Sequence, residues 1–290
     1  MKKAKDLFCV ALIYLLAYGV GVLAALPFDN RIVRFFMFDL AATVVTFVFS
    51  VALSNSSVYD PYWSLTPMVM AVWLFVEAKA FSVWQILFLL AFCLWSVRLT
   101  VNWILVFTDF SYEDWRYRML REQNGKFMWW IVNFCGIHLV PTLVVFAGML
   151  PLFEICRQPM NALCLPGIAV ILFGTALEFF ADRQMHSFLR TATGKTVLSV
   201  GLWHYSRHPN YLGEISVWLG TFLAMLPAAP EKWYYGIGFV LMIALFNFIS
   251  IPMAERRQTA RRPDYKSYRT ATSRLLLLPC RDVGKGSEND

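Results

Sequence analysis

The chain has 290 residues, of which 58% are apolar or aromatic and 16% charged, against about 45–50% and about 25% in ordinary soluble domains. A soluble fold of this length would need more polar surface to cover its core, so the composition excludes an ordinary soluble enzyme and calls for lipid as solvent. The net charge of +7 does not point to nucleic acid, because the basic residues lie between apolar runs and in the C-terminal tail, where they suit anionic headgroups at a membrane surface.

A helix crossing ~30 Å of hydrocarbon needs about 20 mostly apolar residues. Residues 7–26, 35–53, 81–107, 127–150, 163–181 and 233–251 meet that requirement. Two further apolar segments, 65–76 and 215–227, are shorter and read as short, tilted or kinked spans. Nothing alternates like a barrel strand, and backbone in lipid must satisfy its own hydrogen bonds, so helices are expected throughout. The expectation is an all-α polytopic membrane bundle with six to eight transmembrane helices. It forms one integral membrane domain over residues 1–280, followed by a polar tail, 281–290, with the composition of a disordered segment. Lys2, Lys3 and Lys5 ahead of the first apolar run mimic a signal peptide. That run exceeds the usual 7–15 residues of a signal core, and more spans follow it, so it reads as an ordinary first membrane helix.

Loop charges set an orientation. With eight spans and the N-terminus inside, five of the 26 Lys and Arg fall on the far side: Arg31, Arg34, Lys79, Arg157 and Lys232. Arg98 lies within a span, and the other 20 fall on the cytoplasmic side, as the positive-inside tendency requires. The bias places both termini in the cytoplasm and suits a bacterial inner membrane. The six cysteines form no C-x-x-C pair and read as small hydrophobes, with neither a disulfide framework nor a zinc site. Gly19-Val20-Gly21-Val22-Leu23-Ala24 spells a dinucleotide fingerprint, but inside a membrane helix its small residues serve close packing. Gly194-Lys195-Thr196 ends like a phosphate-binding loop, yet Leu189 stands where the first glycine is required.

The polar density from Leu177 to Trp218 is different. Glu178, Asp182 and His186 recur every fourth residue on one helical face, as one wall of a polar cavity or a solvated helix end. There follows a run of donors and aromatics between two apolar helices: Trp203, His204, Tyr205, Arg207, His208, Asn210, Tyr211 and Glu214. Arginine offers a fixed fork for phosphate or carboxylate, a tyrosine ring can cover a flat ligand, and a glutamate can accept from a hydroxyl or amide. An interfacial belt explains Trp203, Tyr205 and Arg207, but not Asn210 and Glu214 at the mouth of the next helix.

Residues 201–214, centred on Ser206-Arg207-His208-Pro209-Asn210-Tyr211, closely resemble the signature of the steroid 5-alpha-reductase C-terminal-domain family. The likeness extends back to Glu178 and Asp182, and forward to Glu255-Arg256-Arg257, Arg262-Pro263-Asp264-Tyr265 and Leu278-Pro279. Arg98 and Glu113-Asp114-Trp115-Arg116-Tyr117 look like the family's bacterial branch. The resemblance implies a helical membrane enzyme whose C-terminal half, about 163–280, opens a cofactor pocket to the cytoplasm. There NADPH would give hydride to an activated carbon–carbon double bond of a lipid-like substrate such as a steroid or isoprenoid. By matching position, Glu178, Asp182, Arg207, His208, Asn210, Tyr211 and Glu214 would line the NADPH site. Arg262, Tyr265 and Tyr268 would close it. Arg190, Lys195 and Arg262 are possible partners for the 2′-phosphate. At Glu178 the animal steroid enzymes carry an Asn.

Reducing an enone requires a donor where negative charge develops. The animal steroid enzymes use a Glu supporting a Tyr. Asp60 matches the Glu, with Pro67 seven residues on, but Trp95 stands where the Tyr would be and cannot act as an acid. Tyr62, oriented by Asp60, is the expected replacement donor, the bland alternative being an aromatic belt of Tyr59, Tyr62 and Trp63. A second reading is a membrane methyltransferase of the isoprenylcysteine carboxyl type using S-adenosylmethionine, which shares an Arg-His-Pro-x-Tyr loop. A third is a transporter or non-catalytic lipid-binding protein. Its site would normally lie at the midplane between two related halves, whereas here the polar residues gather at one interface.

Overall fold

Long apolar runs leave the backbone no partner but itself, and in the computed structural model, which describes residues 2–192 and 196–281, they form helices. In chain order these are α1 (Lys2–Ala25), α2 (Arg31–Ala52), α3 (Tyr62–Ala78), α4 (Val83–Val106), the short α5 (Trp115–Gln123), α6 (Lys126–Arg157), α7 (Ala162–Thr191), α8 (Pro209–Met225), α9 (Pro230–Arg261) and α10 (Tyr265–Ala271). Six of them, α1, α2, α4, α6, α7 and α9, are long and apolar enough to span a membrane, so the protein is an all-α polytopic bundle. The two shorter expected spans are the 17-residue helices α3 and α8, about 26 Å long at 1.5 Å per residue. The 281–290 tail lies, beyond Arg281, outside the described residues.

Local chemistry sets the helix ends. Asn30 caps α2 by accepting from the Val33 amide at 3.1 Å, and Ser82 and Gln85 form a reciprocal capping box on α4. Two helices widen to π geometry, at Val132–Leu139 in α6 and Phe246–Ser250 in α9. In each case a proline, Pro141 or Pro252, comes two residues later. A proline nitrogen cannot donate to the carbonyl four residues back, and its ring crowds that carbonyl, so the wider turn ahead of it relieves the conflict.

Contacts at the two ends of the bundle fix how the helices alternate. At one end Arg31 and Arg34, opening α2, both pair with Glu77 near the end of α3. Gln85, opening α4, donates to the Ile155 carbonyl near the end of α6 at 2.8 Å. At the other end Lys2 meets Asp109 at 3.2 Å, and Asp6 accepts from the Phe110 amide at 3.0 Å. The start of α1 therefore shares a side with the end of α4, as eight alternating crossings require. The core between α2, α3, α4 and α6 is aromatic, with Phe35, Phe38, Phe75, Phe88, Phe92 and Trp95 all 0–1% exposed.

Candidate functional site

The tightest seam in the bundle, between α7 and α8, positions the site. Gly167 and Gly174 on α7 face Gly220 and Gly213 on α8. A Cβ on Gly174 would stand 2.5 Å from the Gly213 carbonyl oxygen, and one on Gly220 2.6 Å from that of Gly167. Only glycine permits such backbone contact, as in small-residue helix packing in membranes. Glu178 and Asp182, one and two turns beyond Gly174, therefore lie against the first turns of α8, which carry Asn210 and Glu214.

Both α7 carboxylates bind one cation: Arg98, on α4, donates through separate nitrogens to Glu178 and Asp182. The fixed fork of a guanidinium suits it to bridge two carboxylates in this way. Glu214 is held by two indoles, accepting from Trp218 Nε1 at 2.9 Å and Trp95 Nε1 at 3.1 Å.

The loop into α8 is pinned from both ends. Gly201 has φ of +63°, and a Cβ there would strike the Gln184 amide, which accepts from the Leu202 amide at 2.9 Å. Trp203 Nε1 donates to the Ala181 carbonyl at 3.1 Å, and Tyr268 donates to the Trp203 carbonyl. Ser206 pairs with Ser273 in a parallel bridge, so the C-terminal segment lies along the loop. Arg207 is buried and engaged within the protein. Its Nε donates to Glu255 at 2.7 Å, and its Nη1 donates to the carbonyls of Arg269 at 2.7 Å and Thr272 at 2.6 Å. His208 Nε2 lies 3.2 Å from the same Glu255 oxygen, while burial holds its imidazole below the ordinary histidine range.

Two cavities meet at this loop. The inner one, about 350 Å³, is lined by Asp60, Arg98, Asn102, Asp114, Arg116, Glu178, Asp182, Asn210, Tyr211 and Glu214, with an apolar flank of Trp63, Leu99, Trp103, Val106 and Phe107. The outer one, about 140 Å³, is lined by Trp203, Arg207, His208, Asn210, Tyr211, Arg262, Tyr265 and Tyr268. Asn210 and Tyr211 belong to both, as the wall between them. Asn210 Oδ1 is buried with no hydrogen-bond partner among the described residues, while the Glu178 carboxyl meets that of Glu214. Burial raises the Tyr265 and Tyr268 hydroxyls above the usual range, so both stay protonated as donors. Outside lies an open depression lined by Arg207, Glu255, Arg256, Lys266, Arg269 and Arg274. Glu255 pairs with Arg207 and Arg269, and Arg256, Lys266 and Arg274 extend the positive field beyond the outer cavity.

The sequence-derived set is thus brought together with one exception. Asp60, Glu178, Asp182, Asn210, Tyr211 and Glu214 line the inner cavity, and Arg207, His208, Arg262, Tyr265 and Tyr268 the outer one. Tyr62 is the exception. Its hydroxyl points away into the bundle, 3% of the residue is exposed, and it donates to Asp39, not Asp60, at 2.8 Å. The partner of Asp60 is Tyr117, whose hydroxyl donates to it at 2.6 Å. Burial pushes the Asp60 carboxyl up to about 7 against the pull of Arg116. The Tyr211 ring stacks with both His208, at 5.3 Å, and Phe246, at 4.5 Å, so its faces are taken by the protein. Arg190 lines neither cavity, and Lys195 lies outside the described residues. Arg98, Asn102, Asp114 and Arg116 are additions. An arginine inside an apolar run was the available signal for Arg98, and the dense charge of residues 113–116 just after a span was the signal for Asp114 and Arg116.

The chain belongs to the family described as "Protein of unknown function (DUF1295)", which matches residues 46–272 and so takes in every residue that lines the two cavities. It is similar to the uncharacterized protein C594.04c of Schizosaccharomyces pombe, 22% identical over 258 residues, covering 78% of this chain and 74% of the relative. No solved structure matches the chain.

Proposed function

We propose that this protein is a membrane-bound oxidoreductase that uses NADPH to reduce an activated carbon–carbon double bond in a lipid-like substrate. The observation that carries the reading is the buried acceptor without a partner, Asn210 Oδ1, in the wall between the inner cavity and a cationic outer one. An unmet buried acceptor is costly, and a carboxamide such as that of nicotinamide brings the NH donor that Asn210 Oδ1 lacks. Arg262 and Tyr265 offer a charge and a hydroxyl donor to phosphates in the outer cavity, while the Tyr268 hydroxyl is engaged by the Trp203 carbonyl. Arg98 would keep the Glu178 and Asp182 carboxylates in place, and the apolar flank from Trp63 to Phe107 suits a hydrocarbon substrate. The likeness of residues 201–214 to the steroid 5-alpha-reductase signature supports the same assignment.

NADPH supplies the hydride for one carbon of the double bond; the other carbon needs a proton. We assign that role to Asp60, because burial pushes its carboxyl up to about 7, so that it still carries its proton at slightly acidic pH, and Tyr117 fixes its orientation. The basic loops suggest that the cavities and both termini face the cytoplasm of a bacterial inner membrane. The carboxyls of Asp60, Asp114, Glu178, Asp182 and Glu214, against the guanidiniums of Arg98 and Arg116, also suit a cationic sulfonium, which keeps S-adenosylmethionine as the second reading.

The deciding experiment titrates purified protein in detergent with NADPH, NADH and S-adenosylmethionine. NADPH is expected to bind; S-adenosylmethionine binding without nicotinamide binding would overturn the reductase assignment. With an accepted enone, Asp60→Asn should keep NADPH affinity and lose turnover. Parental turnover should fall as pH rises through about 7, where the Asp60 carboxyl loses its proton.

A further inference from the structure

On the outside of the bundle, at the end where the cavities open, α5 and the last turns of α9 enclose a separate groove of about 770 Å³. It shares no residue with the two cavities. Its floor is apolar, made by Phe248, Ile249 and Met253, and Phe248 is 79% exposed. Its rim is cationic: Arg118 from α5 and Arg256, Arg257 and Arg261 from α9, with Glu122 the one carboxylate in the lining. Neighbouring arginines are neutralised, as Arg116 is by Asp114, Arg121 by Glu113, and Arg207 and Arg269 by Glu255. The four rim arginines have no carboxylate within ion-pair distance among the described residues. Arg257 instead lies over the Trp115 ring at 4.1 Å, and Arg118 over the Tyr112 ring at 5.5 Å.

Floor and rim differ in depth. Phe248 belongs to the apolar stretch of α9, and Arg256 stands eight residues further on, about 12 Å along the axis. Apolar side chains at hydrocarbon depth beneath guanidiniums that form no ion pair among the described residues, at headgroup depth, are complementary to one kind of molecule. We propose that this groove binds an anionic phospholipid, with the phosphate among the arginines and an acyl chain along Phe248, Ile249 and Met253. The site also bears on the inner cavity. Asp114 caps α5 by accepting from the Arg116 amide at 2.8 Å, and Arg116 and Tyr117 reach the cavity wall and Asp60. A lipid that holds α5 against α9 therefore steadies that wall. The proposal does not depend on which reaction the cavity performs.

Native mass spectrometry of the purified protein, with dioleoyl phosphatidylglycerol and dioleoyl phosphatidylcholine at equal concentration, tests it. The parent is expected to retain phosphatidylglycerol preferentially. The triple variant Arg118→Gln, Arg256→Gln, Arg261→Gln changes exposed side chains only. It should lose that preference, by about five-fold per arginine if each contributes as a basic residue at an anionic surface does. The charge-keeping Arg118→Lys, Arg256→Lys, Arg261→Lys variant should retain it, as should Lys232→Gln at the opposite end of the bundle. Equal retention of both lipids by the parent overturns the proposal, and so does a phosphatidylglycerol preference that survives in the glutamine variant. Binding of glycerol phosphate as tight as that of the lipid would show a free-anion site and overturn it equally.

Discussion

Arg207 and Asn210 stand three residues apart in the loop that enters α8, and the structure gives them opposite work. Every described hydrogen bond of Arg207 goes to the protein's own C-terminal segment, whereas Asn210 Oδ1 has no partner. Removing one member of a buried ion pair leaves the other charge uncompensated, typically at about 3–5 kcal/mol. Arg207→Ala should accordingly lower thermal stability, because Glu255 keeps only His208 and the more exposed Arg269 as partners and the Arg269 and Thr272 carbonyls lose their donor, with any loss of ligand binding secondary to that. Asn210→Ala removes an unmet acceptor, a burden of about 1–3 kcal/mol, so it should leave unfolding temperature unchanged or raised while weakening the ligand. Thermal unfolding and a binding titration of the two variants separate these roles; equal destabilisation of both would refute the distinction. Sequence alone marked both positions but could not tell ligand contact from internal clamp, because that depends on Glu255, forty-eight residues away. The same limit explains Tyr62. Its closeness to Asp60 in the chain suggested a pair, but a residue beginning a helix points a full side chain away from its neighbour, and Asp39 and Tyr117 supplied the actual partners.

At the scale of elements, the apolar lengths in the sequence translate directly into helices, because lipid leaves the backbone no alternative. The short segments 65–76 and 215–227 proved to be parts of the full helices α3 and α8. What apolar length does not reveal is which helices touch. That information lay in Gly167, Gly174, Gly213 and Gly220, two pairs with the same seven-residue spacing, whose meaning appears only when the two helices are set side by side. Gly174→Ala would press a methyl group on the Gly213 carbonyl oxygen, 2.5 Å away. The backbone cannot yield as a side chain would, so the variant should lose about 1–3 kcal/mol, the usual cost of overpacking, and also shift Glu178 from Arg98. Gly19→Ala is the matched control, since nothing stands within 4 Å of a Cβ there. Of the Gly19–Gly21 motif, Gly21 alone serves close helix packing, since a Cβ there would meet Phe38 at 2.7 Å. A Gly174→Ala variant as stable as the Gly19→Ala control would mean that the α7–α8 seam is looser than its geometry implies.

Across the whole molecule, end-to-end contacts and charge tell one story. The N-terminus meets the α4–α5 connection through Lys2 and Asp109, and the loops bearing Asp60, Arg116, Arg207 and Arg262 all gather at that end around the two cavities. The opposite end carries Arg31 and Arg34, both neutralised by Glu77, together with Lys79, Arg157 and Lys232. Under the proposed orientation, which follows the positive-inside tendency, the cavity end faces the cytoplasm, and the proposed dinucleotide would reach it from there. The contacts alone would fit either orientation, since a bundle turned over keeps all of them; the charge bias supplies the direction. A cysteine placed at Lys232 should therefore react with a membrane-impermeant thiol reagent added to intact cells. One placed at Arg190, exposed at the cavity end of α7, should react only after the cells are opened. Because Cys135 is itself exposed, both substitutions belong in a cysteine-free background. Labelling of the Arg190→Cys variant from outside would invert the bundle, leave the cavities facing away from the cytoplasm, and remove the ground for a cytoplasmic dinucleotide as their ligand.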